Sequence, residues 1–482
     1  MIDFRPIGYV IGILLSLLGT AMVFPFLVDL SEDRGHWPVF LQSAAITIGI
    51  GSLLSMACSN GVKQGLSIQQ TFLLTTGVWL TLPLFGALPF FFGATEARYI
   101  DAFFEAMSGL TTTGATVFTG LETLPKGLLL WRGILQWLGG IGIIVVAMVF
   151  LPELRVGGMQ IFKAEAFDTL GKILPKATTI ALQISVIYIA ITMICSLAYF
   201  SVGMSPFDAI VHAMTTVATG GFSNYDASFG AFNPGAEYIC VIFMILAALP
   251  FVRYVQLVNG NLFAVFNDVQ VKTFIVITFT LIVISTAFLY SDFGFEREEA
   301  VRKALFNVTS IISGTGYSSA DYAKWDGFLV TMFFFIGLIG GCAGSTACSV
   351  KVFRYQLLYA SVLTQLKKIR SPNGVFIPRY DGRAIEDDVL SSVTSFFIFF
   401  IVTLGIIAIL LGMTGLDLTT SLSASAATLA NIGPGLGNEV GPAGNYAGLS
   451  DLAKWILSAA MLIGRLELLA VYAVLTIQFW RA

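Results

Sequence analysis

Apolar residues run in long, continuous stretches along this chain, separated by short polar segments and without the polar–apolar alternation of an outer-membrane barrel. A helix needs about 20 mostly apolar residues to cross a bilayer. Ten stretches meet that length, near 7–28, 38–57, 71–92, 128–151, 180–203, 236–258, 273–290, 327–347, 393–413 and 453–478. The pattern predicts ten spanning helices. Residues 1–6 carry few charges, and no short apolar core followed by a small-residue cleavage site comes after them, so the first stretch reads as a retained helix rather than a signal peptide.

Four further apolar segments, near 99–113, 206–219, 299–313 and 416–430, are too short to cross. Each runs into a glycine-containing polar stretch: TTTGAT (111–116), TGGFSN (219–224), GTGYSS (314–319) and NIGPGL (431–436). Irregular backbone at membrane depth is tolerated only where it lines a watery cavity or is buried in protein. Short helix plus polar loop therefore predicts a re-entrant pore loop.

Composition agrees. Of 482 residues 56% are hydrophobic and 11% charged, with a formal net charge of −3; soluble domains carry roughly a quarter charged residues. A water-soluble enzyme, a nucleic-acid binder and a disordered scaffold are excluded. The five cysteines show no C-x-x-C spacing, and only His36 and His212 are present. Neither a zinc site nor a nucleophile–base pair is indicated, which argues against an intramembrane enzyme. Assigning segments alternately to the two sides puts 16 of the 26 Lys and Arg residues with the N-terminus and nine opposite, leaving Arg465 inside a span. Cytoplasmic termini follow, with all four polar loops entering from outside.

Aligning the loops exposes a repeat. Asp101-Ala102 and Ala106-Met107 lead to Gly114 as Asp208-Ala209 and Ala213-Met214 lead to Gly221, a shift of 107 residues. A shift of 95 gives Gly316, and one of 117 gives Gly433, where Gly435 competes for the register. The expected fold is an all-α polytopic membrane protein: four covalently linked span–pore helix–loop–span repeats in pseudo-fourfold symmetry around one pore, plus a leading helix pair. The expected units are 1–60 (leading pair), 61–155, 156–262, 263–370 and 371–482. An inverted-repeat transporter is disfavoured, because every copy has the same element order and enters from the same side.

The chemistry suits a small dehydrated cation. Asp101 and Asp208 sit where an N-cap would serve the short helices. The helix C-termini then direct partial negative charge towards the axis. Carbonyls of Thr112, Thr113, Thr219, Gly220, Gly314, Thr315, Asn431 and Ile432 are candidates for stacked rings that replace a hydration shell. Gly114, Gly221, Gly316 and Gly433 supply the backbone freedom. No carboxylate occupies these positions, which favours a monovalent ion over Ca²⁺ or Mg²⁺.

At these residues the chain resembles the bacterial Trk/Ktr/HKT potassium-transport superfamily, specifically its TrkH-type membrane subunits. The resemblance runs from the first span to Arg481 and rests on FFEAMSGLTTTGAT (103–116), ILQWLGGIGIIV (134–145), GGCAGST (340–346), NIGPGLG (431–437) and AKWILSAAMLIGRLE (453–467). It implies that the eight filter positions bind K⁺ as substrate, with no cofactor in this chain. The family's filter, with one filter glycine per loop, is shorter than the TVGYG of tetrameric potassium channels, so the resemblance implies fewer ion sites and weaker selectivity. It also implies a bacterial inner-membrane location, homodimers and a separate cytosolic TrkA-type nucleotide-binding ring, since this chain has no P-loop or G-x-G-x-x-G fingerprint.

Two features lie below the filter positions. The eighth span is interrupted by Gly340, Gly341, Gly344, Ser345 and Thr346. Close helix packing is one reading; a loop that obstructs the pore and moves aside is the one the resemblance implies. Here the chain departs from the family's glycine-rich pattern, reading Ala347-Cys348-Ser349. Arg465 in the last span is costly at that depth. It is either paired with a buried carboxylate such as Glu467 or Glu105, or, as the resemblance implies, faces the pore as a barrier to cations. The seven Lys/Arg of 351–383 read as a solvated cytoplasmic face that could also dock a partner. K⁺ uptake driven by the membrane potential is the leading function. A Na⁺- or H⁺-coupled symporter is the alternative, with Glu105 and Glu467 the weak relay candidates.

Overall fold

The computed structural model describes residues 2–32, 35–61, 66–149, 177–325 and 327–481. The expected unit boundary at 155/156, and Arg34, Lys63, Arg155, Lys163, Lys172 and Lys176 of the charge count, lie outside the described residues.

Among those residues the chain is mostly helical, with one hairpin of two-residue strands, Arg379–Tyr380 against Arg383–Ala384. Seven helices are long and apolar enough to span, or up to nine if each of two bent pairs counts as one. A leading unit packs α1 (Arg5–Ala21) and its continuation α2 (Val23–Ser31) on α3 (Trp37–Cys58). Gly12 and Gly51 face each other there, and a Cβ on either would strike the other helix's backbone. Small residues at a helix crossing let the backbones approach, as membrane packing requires. There follow α4 (Ile68–Gly86) with α5 (Leu88–Phe92), α6 (Tyr99–Leu110), α7 (Lys126–Val149), α8 (Ala177–Ser201), α9 (Pro206–Val217), α10 (Pro234–Ala247) and α11 (Phe251–Val258). The second half holds α12 (Val269–Ser291), α13 (Arg297–Ile312), α14 (Gly327–Gly337), α15 (Val352–Arg370), α16 (Asp387–Gly412), α17 (Leu418–Leu429), α18 (Asp451–Arg465) and α19 (Leu469–Leu475).

Three predicted spans are corrected. The sixth, 236–258, turns by 88° between α10 and α11, where Pro250 precedes the new helix. The tenth, 453–478, turns by 112° between α18 and α19 through Glu467 and Leu468, both at positive φ. The eighth, 327–347, is helical only to Gly337, and residues 338–351 form an irregular loop.

The short helices α6, α9, α13 and α17 lie at the centre: every residue of α6 from Ala102 to Leu110 is buried. Of the spans, α7 is the most enclosed, with 67% of its apolar window buried against 22% for α12. A helix that is apolar all round belongs inside protein or against lipid, and the two kinds of helix divide along that line.

Candidate functional site

Each short helix ends in the same way. The amides of Thr112 and Thr113 return to the carbonyls of Gly109 (3.0 Å) and Ser108 (2.9 Å); Thr219 and Gly220 to Thr216 (3.0 Å) and Thr215 (2.8 Å). Gly314 and Thr315 return to Ile311 (3.0 Å) and Ser310 (2.9 Å); Asn431 and Ile432 to Thr428 (3.2 Å) and Ala427 (2.9 Å). This is the Schellman termination, which needs a left-handed residue just past the helix. Thr112, Thr219, Gly314 and Asn431 have φ of +51°, +49°, +75° and +52°. Only the third is glycine. Two residues on, Gly114, Gly221, Gly316 and Gly433 are again positive, at +83°, +78°, +81° and +103°, while Gly435 is not. The fourth loop thus takes the register of Gly433.

These glycines close a ring. A Cβ on Gly114 would overlap the carbonyl oxygen of Gly220; on Gly221, that of Thr315; on Gly316, that of Ile432; on Gly433, that of Thr113. Each loop's glycine therefore meets the carbonyl just before the next loop's glycine, and the fourth returns to the first. The outer segments repeat the circuit. Asp226 accepts from the Gly120 and Leu121 amides (2.7 and 3.1 Å), Ser318 O from Phe229 N (3.0 Å), Pro442 O from Ser318 Oγ (3.1 Å) and Thr116 O from Tyr446 N (2.8 Å). All four glycines line a single cavity of about 180 Å³ on this side.

Polar side chains brace the ring from behind. Glu105 on α6 accepts from Thr116 Oγ1 (3.0 Å) and Val117 N (2.9 Å); His212 on α9 contacts Ser223 Oγ (3.1 Å). Asn307 on α13 accepts from Ser319 N (3.2 Å), and Ser423 on α17 from Leu436 N (2.9 Å). Asn307 and Ser423 are not singled out by sequence, although the shifts of 107 and 95 carry Glu105 onto His212 and Asn307. Gln136 of α7 is a further unforeseen brace: its side-chain amide donates to Gly220 O and accepts from Phe222 N (3.0 Å).

The expected capping role of Asp101 and Asp208 is corrected. Both sit three residues inside their helices. Ser205 caps α9, accepting from Asp208 N (3.1 Å), while Arg98 caps α6 without a side-chain bond. Asp101 instead binds Lys454 (2.6 Å) and Arg98 (3.0 Å). In α17 the N-cap is Asp417, whose carboxyl is held below its ordinary value of 3.8 by hydrogen bonds from Thr420 and Thr419.

Beneath the ring lies loop 338–351, holding Gly340, Gly341, Gly344, Ser345 and Thr346. It docks on the α10–α11 bend, where the amides of Cys342 and Thr346 donate to the carbonyls of Ala248 (3.0 Å) and Ala247 (3.3 Å). Ser349 N donates to Ala430 O (2.9 Å) at the end of α17, and Cys348 Sγ lies 3.5 Å from Thr112 Oγ1. Arg465, the last residue of α18, reaches this loop. Its Nη1 donates to Cys348 Sγ (2.7 Å) and its Nη2 to Gly139 O (3.2 Å). The carboxylates weighed as its partners are bound elsewhere: Glu105 to Arg132 (2.8 Å) and Glu467 to Arg354. Among the described residues no cluster of three His, Cys, Asp or Glu side chains could hold a metal ion.

Spans enclosing a closed ring of four loops, with a cavity on one side and loop 338–351 on the other, define a multi-pass membrane transport protein. Comparisons with known proteins give the family. The model of the TrkH family, described as cation transport protein, matches residues 36–479. The Trk system potassium uptake protein TrkI of Halomonas elongata is 41% identical over 99% of this chain and 97% of its own length. TrkH of Escherichia coli (strain K12) is 38% identical, over 99% of both. The crystal structure of the potassium transporter TrkH from Vibrio parahaemolyticus covers 100% of both chains at 34% identity with a TM-score of 0.92. The chain belongs to the TrkH family of cation transport proteins, a family of transporters and not of enzymes.

Proposed function

We propose that this chain carries K⁺ into the bacterial cell across the inner membrane, passively and down the electrical gradient. In this reading backbone carbonyls of Thr112, Thr113, Thr219, Gly220, Gly314, Thr315, Asn431 and Ile432 replace the ion's hydration shell. The observation that carries it is the ring of glycine–carbonyl approaches linking all four loops. Neutral carbonyls at the C-terminal ends of four helices stabilise a cation without the carboxylates that a divalent ion would want. The K⁺ uptake named for the Halomonas and Escherichia relatives supports the choice of ion.

Loop 338–351 is the gate in this reading, and Arg465 a positive barrier below the filter. Glu105 and Glu467, the carboxylates that an H⁺- or Na⁺-coupled relay would use, are each bound to an arginine, which favours passive conduction over symport. The unit boundaries 1–60, 61–155, 156–262, 263–370 and 371–482, cytoplasmic termini, a homodimer, and control by a separate cytosolic TrkA-type nucleotide-binding ring belong to the same proposal. The chain needs no cofactor in it.

The test is K⁺ flux into liposomes holding the purified chain, with voltage imposed and the proton and sodium gradients collapsed. Flux that persists supports the conducting pathway, and flux that stops assigns coupling instead. Arg465→Ala should raise K⁺ flux; unchanged flux would remove the barrier role.

A further inference from the structure

Cys348 stands where the intramembrane loop, the ring and the last span meet. Its sulfur is buried, accepts from Arg465 Nη1 at 2.7 Å and lies 3.5 Å from Thr112 Oγ1. A Cβ on Gly314 would rest against Cys348's own amide, so this residue touches the loops that follow both α6 and α13. Arg465 is itself 3% exposed and has no carboxylate in ion-pairing range among the described residues. The Trp79 ring is 5.6 Å from the guanidinium carbon of Arg465, and Arg465 Nε has no hydrogen-bond partner among the described residues. Two acceptors among those residues hold it: the Gly139 carbonyl, on the unbroken helix α7, and Cys348, on the loop.

We propose that Cys348 is the residue that positions Arg465, holding the guanidinium under the ring and tying its placement to the loop. The choice of a thiol has physical consequences. A carboxylate there would orient Arg465 but cancel its charge, and with it any repulsion of a passing cation. A thiol sulfur accepts a hydrogen bond without bringing a full negative charge in its protonated form. Sulfur is also a weak acceptor, so the bond orients the guanidinium yet breaks at small cost when the loop moves. Displacing residues 338–351 removes one of the arginine's two acceptors and leaves it attached to α7 alone. Movement of the gate and withdrawal of the charge then become one event.

This inference rests on the barrier role proposed above, and one set of variants separates the two. K⁺ flux at fixed voltage is measured in liposomes for the full chain, Cys348→Ala, Cys348→Ser, Arg465→Ala and the double variant Cys348→Ala/Arg465→Ala, each first shown to be monodisperse. Loss of a weak hydrogen bond of this kind predicts a rise of about three- to tenfold for Cys348→Ala, and no more than the rise that Arg465→Ala gives. Cys348→Ser, whose hydroxyl still accepts, should stay within about twofold of the parent. In the Arg465→Ala background Cys348→Ala should add nothing, since a residue that acts through another is not additive with it. Cys348→Val, which fills the volume without an acceptor, takes the place of Cys348→Ala in the cycle if that variant does not fold. If Arg465→Ala leaves flux unchanged, the barrier and this inference fall together. If Arg465→Ala raises flux but the change at Cys348 has no effect or adds independently, the positioning role alone is overturned.

Discussion

Replacing Gly316 by Ala tests the ring at its most crowded approach. Gly316 has φ +81°, and a Cβ there would overlap the Ile432 carbonyl oxygen and crowd Pro434 Cδ at 2.9 Å. A left-handed conformation costs a residue with a side chain roughly 1–2 kcal/mol. The overlap adds to this and is relieved only by moving one of the four carbonyls of the ring or by turning the Gly316 peptide. Either movement spoils one carbonyl of the proposed filter, and 1–2 kcal/mol corresponds to about a five- to thirtyfold change in an equilibrium ratio. The assay is the bi-ionic reversal potential with K⁺ and Na⁺ on opposite sides of a bilayer holding the purified chain. At about 59 mV per tenfold change for a single charge, Gly316→Ala should shift it by roughly 40–90 mV towards loss of K⁺ preference. Gly415→Ala is the control. Gly415 has a positive φ of its own, +94°, but a Cβ there meets nothing within 4 Å. The reasoning is refuted if Gly316→Ala and Gly433→Ala both leave the potential unchanged, or if Gly415→Ala moves it as far as they do.

Other parts of the site give further expectations. Glu105→Ala strands Arg132, which is 2% exposed, and should cost about 3–5 kcal/mol, read as a lowered melting temperature of the detergent-solubilised chain. Gln136→Leu removes the donor on Gly220 O and the acceptor for Phe222 N; it should lower K⁺-over-Na⁺ preference while the protein stays folded, checked by the same reversal potential. Asp417→Ala deletes the cap of α17 and should cost about 1 kcal/mol. Because the folded-state carboxyl lies below its ordinary 3.8, the cap's contribution is full above that value and is lost as pH falls through the lower, folded one. Melting temperatures of parent and variant should therefore converge only in strong acid.

The short helices, their loops and the four turning glycines were legible in the sequence because membrane depth forces a simple code: long apolar runs cross, short ones ending at glycine do not. The second left-handed position was not. Thr112, Thr219 and Asn431 adopt it without being glycine, held by two hydrogen bonds to the helix they terminate, so composition carries no mark of it. The caps failed for a related reason. Asp101 and Asp208 are the conspicuous acids, but Ser205 and the backbone of Arg98 stand at the true boundaries, and Asp101 is drawn to Lys454 from the far end of the chain. Arg465 was identifiable as an expensive charge. Its acceptor was not, because Cys348 lies 117 residues away on a segment with no periodicity to locate it.

Why an irregular loop can sit at membrane depth follows from the bend beside it. A helix end leaves its last carbonyls without intrahelical partners, and an unsatisfied polar group in hydrocarbon costs several kcal/mol. The break between α10 and α11 creates such carbonyls at Ala247 and Ala248, and loop 338–351 supplies the amides of Thr346 and Cys342 that answer them. In return Gly344 O accepts from Phe251 N (2.9 Å), and Gln270 Oε1 of α12 accepts from Ala343 N (2.9 Å). Two defects thus satisfy each other, and neither is tolerable alone. A loop held this way cannot leave without exposing the bend, unless water reaches the carbonyls as it goes. Straightening α10 into α11 would remove those acceptors, so the 88° bend is as much a part of the proposed gate as the loop itself.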